Sequence, residues 1–214
     1  AQPEDRESAA QWLANEGSPQ ALLGLLARFD LKLDHDIKNQ TEVDIIYQLC
    51  LSLGDDIVEP TLVWLRQCKA VARPLALIGD LRGEEAAISA AYEVLEIERT
   101  QGNAFNPHKK KAVLIWLAER RDDALIDNVA PFLADFDEGV RYAGVEAVIA
   151  QHDDAAREPL LSVLTNAEEE SNRLRIRVCE VFAQRRWLVG EAEAVLAQSL
   201  PDGWGVRNGR IARA

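Results

Sequence analysis

What most limits the folds open to this chain is a phrase that recurs with variation. Val140-Arg141-x-Ala143-x-x-x-Ala147 returns 36 residues later as Ile176-Arg177-x-Cys179-x-x-x-Ala183. A second phrase recurs as Val58-Glu59-Pro60-Thr61-Leu62, Val129-Ala130-Pro131-Phe132-Leu133 and Arg157-Glu158-Pro159-Leu160-Leu161. Small residues four apart share one helix face and let a neighbouring helix approach closely. A proline in the first turns of a helix costs little, because its missing N–H has no partner there. Alternation of the two phrases predicts an all-α chain, an α-α superhelix of about six helical hairpins, each burying its apolar face only against its neighbours. A stack of this kind is a surface for holding something rather than a pocket for chemistry.

The expected hairpins are 4–15 with 18–29, 41 to about 69, 71–79 with 84–99, 108–120 with 123–134, 139–151 with 155–165, and 172–187 with about 190–199. Ser18 before Pro19 reads as an N-cap with proline at the first helical position. Thr41 with Asp44 three residues on resembles a capping box. In the first pair, Trp12, Leu13, Leu22, Leu23, Leu25 and Leu26 supply the apolar face. Asp80-Leu81-Arg82-Gly83 reads as the turn of the third pair. The run 101–107, dense in turn residues, is the softest joint of a repeat region expected over 1–199. Residues 200–214 differ in kind. Asn208-Gly209 between alternating residues predicts a β-hairpin, with Trp204, Val206 and Ile211 covering the open end of the stack.

The Val-Arg opening after an acidic turn (Asp135-x-Asp137-Glu138-Gly139-Val140-Arg141), the Ile78-Gly79-Asp80 turn and the early proline of the partner helix resemble HEAT-type repeats. The similarity is to the short class named after phycobilisome lyases, and it spans roughly 41–199. It implies that turn aspartates and following arginines pair between repeats, which by match gives Asp137 with Arg141, and Arg177. It also implies that second helices line a concave face. The best contact candidates are then Glu85, Ser89, Glu93 and Glu96 in the third pair, Asp127 and Asn128 in the fourth, and Arg157, Glu158 and Ser162 in the fifth.

Charge narrows the partner. The chain has 36 acids against 24 lysines and arginines, a net charge of −12. Residues 1–100 hold 18 of the acids and 9 of the bases. Such a surface repels phosphate backbones at long range, so no nucleic acid is expected. The partner is instead a protein or peptide with a basic surface. No apolar run reaches the length of a membrane span. Cys50, Cys68 and Cys179 make an odd, sparse set without a disulfide framework, and each reads as a buried core thiol. With no visible signal segment, cytoplasmic placement is expected.

Other clusters take a bland reading. Asp34-His35-Asp36 has the residue types of a metal or acid–base site, but adjacent side chains diverge, so it reads as a solvated loop or cap. His152-Asp153-Asp154 reads as a turn. His108-Lys109-Lys110-Lys111 opposes the dipole of the helix it starts and reads as a solvated face. Arg173, Arg175, Arg177, Arg185 and Arg186 beside Trp187 are partly ladder and partly a candidate contact patch. Trp64 and Trp116 read as core. Phosphate loops, dinucleotide fingerprints and zinc or nucleophile-elbow motifs are missing from the sequence. The expectation is a non-catalytic protein-binding scaffold without cofactor, alone or as a subunit of a larger assembly. The alternative is an enzyme or enzyme subunit of the kinds the resemblance also implies, a HEAT-like DNA glycosylase or a bilin-lyase relative.

Overall fold

The computed structural model describes residues 3–31, 36–101, 107–152 and 154–214. Its described residues are helical apart from turns and one C-terminal two-stranded antiparallel sheet, so the chain is all-α with a small β-hairpin. It divides into two compact units, residues 1–113 and 114–214.

The N-terminal unit holds α1 (Pro3–Glu16), α2 (Pro19–Leu26), α3 (Asp36–Ser52), α4 (Val58–Gln67), α5 (Ala72–Arg82) and α6 (Glu84–Thr100). First helices α1, α3 and α5 pack in one row, and second helices α2, α4 and α6 in another. Ser18 caps α2 by accepting from the Ala21 amide at 3.3 Å, with Pro19 at the first helical position, as its sequence predicts. The core of the first two pairs is Leu22, Leu25, Leu26 and Phe29 against Val43, Ile46, Tyr47, Cys50 and Ile57.

Three local expectations are corrected here. Thr41 lies inside α3, where its hydroxyl donates to the Ile37 carbonyl at 3.0 Å rather than capping a helix. Asp80, Leu81 and Arg82 are helical, so the turn between α5 and α6 is Gly83 alone, at φ +92°, a backbone conformation that favours glycine. Trp12 is 64% exposed, so the apolar face of α1 rests on Ala10, Leu13 and Ala14 instead.

Helix α7 (His108–Ala118) carries the boundary between the units. The C-terminal unit continues with α8 (Leu125–Val129), α9 (Glu138–Ala150), α10 (Arg157–Thr165), α11 (Asn172–Arg185) and α12 (Glu193–Ser199). The α8 segment tightens into a 3-10 turn over Ala130–Ala134. The reason is Pro131, which has no N–H to continue the α-helical ladder. Gly144 lets α9 press on this turn, since a Cβ there would sit 3.2 Å from Leu133 Cδ2. Strands β1 (Trp204–Arg207) and β2 (Arg210–Arg213) pair with Val206 opposite Ile211. Asn208 and Gly209 take φ +52° and +70°, the mirror-image turn that matches strand twist. β2 packs on α11 and β1 on α12, with Trp204 and Ile211 buried, so the hairpin covers the last helical pair as expected.

Candidate functional site

Charged residues on first helices pair with one another across neighbouring first helices. In the N-terminal unit, Glu42 of α3 accepts from Arg6 of α1 at 2.8 Å and from Arg28 at 2.5 Å. The Arg6 hydrogen bond, reinforced by Arg28, holds the Glu42 carboxyl below the usual glutamate range against the opposing effect of burial. Arg73 of α5 reaches Asp44 of α3, and Tyr47 donates to Asp80, both at 2.8 Å. Burial, then Asp80, push the Tyr47 phenol upward.

In the C-terminal unit Arg141 and Arg177 both form long-range ion pairs, but the Asp137 side chain is the partner of neither. Asp137 caps α9 by accepting from the Val140 amide at 3.0 Å. Arg141 turns instead to Glu169, at 2.7 and 2.9 Å, and donates to the carbonyls of Asp135 and Phe136. The Glu169 side chain is 1% exposed. Arg177 binds Glu146 of α9 in a two-point fork at 2.6 and 3.0 Å. The Glu169 and Glu146 hydrogen bonds raise both guanidinium pKa values above the usual arginine value. The sequence reading missed Glu169 and Glu146, because the pairing runs across 28 and 31 residues.

The remaining arginines of α11 are largely committed too. Arg173 stacks over Tyr142 at 4.0 Å, and Arg175 donates to the Ser199 carbonyl. Arg185 donates to the Ile149 carbonyl and lies 4.8 Å from the Trp187 ring centroid. Trp187 itself donates to Asp154 at 2.7 Å. The suspected arginine–tryptophan contact patch is therefore mostly internal scaffolding.

Second helices differ. On α6, Glu85, Ser89, Glu93 and Glu96 are all exposed, and they form one ridge opposite the buried Ala87, Ile88, Ala91, Val94 and Leu95. Glu93 is bridged by Arg66 of α4 at 2.8 Å, and Glu96 by Arg99 of its own helix at 2.8 and 2.9 Å. Between α2 and α4 runs a cleft of 470 Å³ with an apolar floor of Leu22, Leu23, Pro60 and Val63 and an acidic edge of Asp56 and Glu59. Neither the cleft nor these two acids was singled out from sequence; the signal available was the Gly54-Asp55-Asp56 turn running into Glu59-Pro60.

The C-terminal candidates are exposed or half-buried and mostly satisfied locally. Asn128 donates to the Ala124 carbonyl, Ser162 to that of Pro159, and Arg157 pairs with the adjacent Glu158. Asp127 alone of this group is exposed with no bonded partner among the described residues.

No grouping of three or more histidine, cysteine or acidic side chains among the described residues is placed to hold a metal ion. Asp34 and His35 lie outside the described residues, as do the Asp36 side chain and Asp153. All three cysteines are buried, as expected, and burial pushes each thiol up to about 12, so none is a thiolate nucleophile at neutral pH. Trp116 is core, whereas Trp64 is only partly buried. No helix among the described residues is long and apolar enough to cross a membrane. Neither a protein-family model, nor a curated protein, nor a solved structure matches this chain.

Proposed function

We propose that this chain is a protein-binding module of HEAT-like repeats, and that the second-helix row of its N-terminal unit takes a basic protein segment with an apolar anchor. The observation that carries this is the α2–α4 cleft, an apolar floor edged by Asp56 and Glu59, in the same helix row as the Glu85–Glu96 ridge. An apolar residue of the partner fills the floor and supplies burial energy. Lysines and arginines beside it meet the carboxylates, which raise the rate of encounter more than the final affinity. A non-catalytic role fits the buried, protonated thiols and the arginines already spent inside the fold. The same row is available whether the chain acts alone or within a larger assembly.

The test is selection of a random peptide library on the full chain, followed by stopped-flow binding of the selected peptides. The reading predicts basic sequences with one large apolar residue, and an association rate that falls as salt rises. Selection of acidic or neutral peptides, or a rate indifferent to salt, overturns it.

A further inference from the structure

A second cleft in the N-terminal unit has the opposite chemistry. We propose that it binds a phosphate group, free or carried on a small molecule. Its volume is 620 Å³, and its walls include Arg66, Gln67, Lys69, Glu98, His108 and Lys109. In a chain of net charge −12 this wall sets three basic side chains, Arg66, Lys69 and Lys109, against one carboxylate.

The lysine run at the start of α7 reads from sequence as a solvated face. Lys109 and Lys110 are instead buried, 7% and 5% exposed. They sit in the first turn of α7, which contains no acidic residue. Cations there oppose the helix dipole, and burying an ammonium is costly unless it is paired and hydrogen-bonded. For Lys109 the compensation is incomplete. Its nitrogen lies 3.6 Å from Glu98, too far for a charge-assisted hydrogen bond, with the two side chains 9% and 15% exposed. Lys109 is thus a largely buried side chain that lines the cleft, and among the described residues its ammonium has the Glu98 ion pair but no hydrogen bond.

Lys69 adds a second ammonium. Its backbone amide is fixed by the Asp30 carboxylate at 3.0 and 3.1 Å, while its exposed side chain has no ion pair among the described residues. Asp30 is occupied by that amide and the amide of Ala70, and Arg66 and Glu93 are occupied by each other. What remains for a ligand is Lys69, Lys109, the imidazole of His108 and the amide of Gln67.

A phosphate suits this set. It carries up to two negative charges and enough acceptor oxygens to serve both ammonium groups, and it is favoured at the positive end of a helix. A cleft of this size falls in the range of small-molecule sites, with room for a group attached to the phosphate. Cys68 lines the wall, but its thiol, 2% exposed and pushed up to about 12 by burial, contributes no competing anion. None of the acids proposed to meet a basic partner binds this ligand, so the two proposals stand or fall separately.

The test is calorimetric titration of the full chain with inorganic phosphate and, separately, with glycerol phosphate, at constant ionic strength. One saturable site is expected. Lys69→Ala and Lys109→Met each weaken it at least tenfold with the helical circular dichroism unchanged. Methionine keeps the apolar stem of Lys109; should that variant misfold, the exposed Lys69→Ala decides alone. Equal affinity for the two probes assigns the site to free phosphate, and tighter binding of glycerol phosphate assigns it to a phosphorylated small molecule. Absence of a saturable site for both, or binding undiminished in Lys69→Ala, overturns the proposal.

Discussion

Helices α6 and α11 both carry a dense run of like charge, yet the structure uses them in opposite ways. On α11, Arg173, Arg175, Arg177 and Arg185 reach neighbouring carboxylates, carbonyls and rings. On α6, Glu85, Glu93 and Glu96 stand in solvent; Arg66 and Arg99 pair with Glu93 and Glu96, while Glu85 has no bonded partner among the described residues. The lesson is that charge on a helix of this stack is left available to a partner only where a neighbouring helix has not already consumed it. First helices face first helices across the stack, so their long side chains find partners there. Second-helix acids in the N-terminal unit find fewer.

The comparison can be broken most sharply at Glu169. Replacing it with alanine strands the Arg141 guanidinium in a buried site, and breaking a buried pair this way costs about 3–5 kcal/mol. Urea denaturation is the measurement, and a loss under about 1 kcal/mol would mean that Arg141 finds water or another acceptor. The second effect is on binding. Glu85→Lys, Glu93→Lys and Glu96→Lys together should weaken a selected basic peptide more than tenfold while leaving the urea midpoint nearly unchanged. Equal binding by the triple variant removes α6 from the contact surface.

A pH experiment sharpens the same contrast. Because Arg6 and Arg28 hold the folded-state pKa of Glu42 below its ordinary value, its contribution is present above the unfolded glutamate pKa of about 4.3 and is lost as pH falls through the lower folded value. Glu42→Gln should therefore be less stable at pH 7 and should lose less stability than the parent between pH 5 and 3. Parallel acid curves for the two proteins would contradict that. At the hairpin, Gly209→Ala forces a Cβ into φ +70° and to 3.4 Å from Leu188 Cδ2, at a cost of about 1 kcal/mol, read as a lower thermal midpoint. The smallest effect is at Glu93→Ala, where the pair with Arg66 is half exposed on both sides and its removal changes stability by less than about 1 kcal/mol.

Much of the local architecture was legible in advance. Ser18-Pro19 announced the start of α2, and Asn208-Gly209 announced the hairpin, because caps and tight turns depend on residues within a few positions of each other. The α6 ridge was legible as well, since a spacing of three and four residues fixes a helix face. Thr41 failed because its capping-box pattern is also compatible with a helix interior, where the hydroxyl donates back one turn. Asp137 failed for a related reason. A cap and a ladder rung ask for the same residue, and the backbone amide of Val140 was the nearer partner.

What the chain's own order of residues determined is the all-α class, the helix starts and stops and the C-terminal hairpin, since these follow from short-range periodicity, capping and turn chemistry. Tertiary structure alone decided which charges are spent and which are offered. Arg141 meeting Glu169, Arg177 meeting Glu146, and Lys109 lying 3.6 Å from Glu98 are outcomes of how helices stack. Their energies depend on burial and on partners some 11 to 31 residues away, and neither quantity is written in a local pattern.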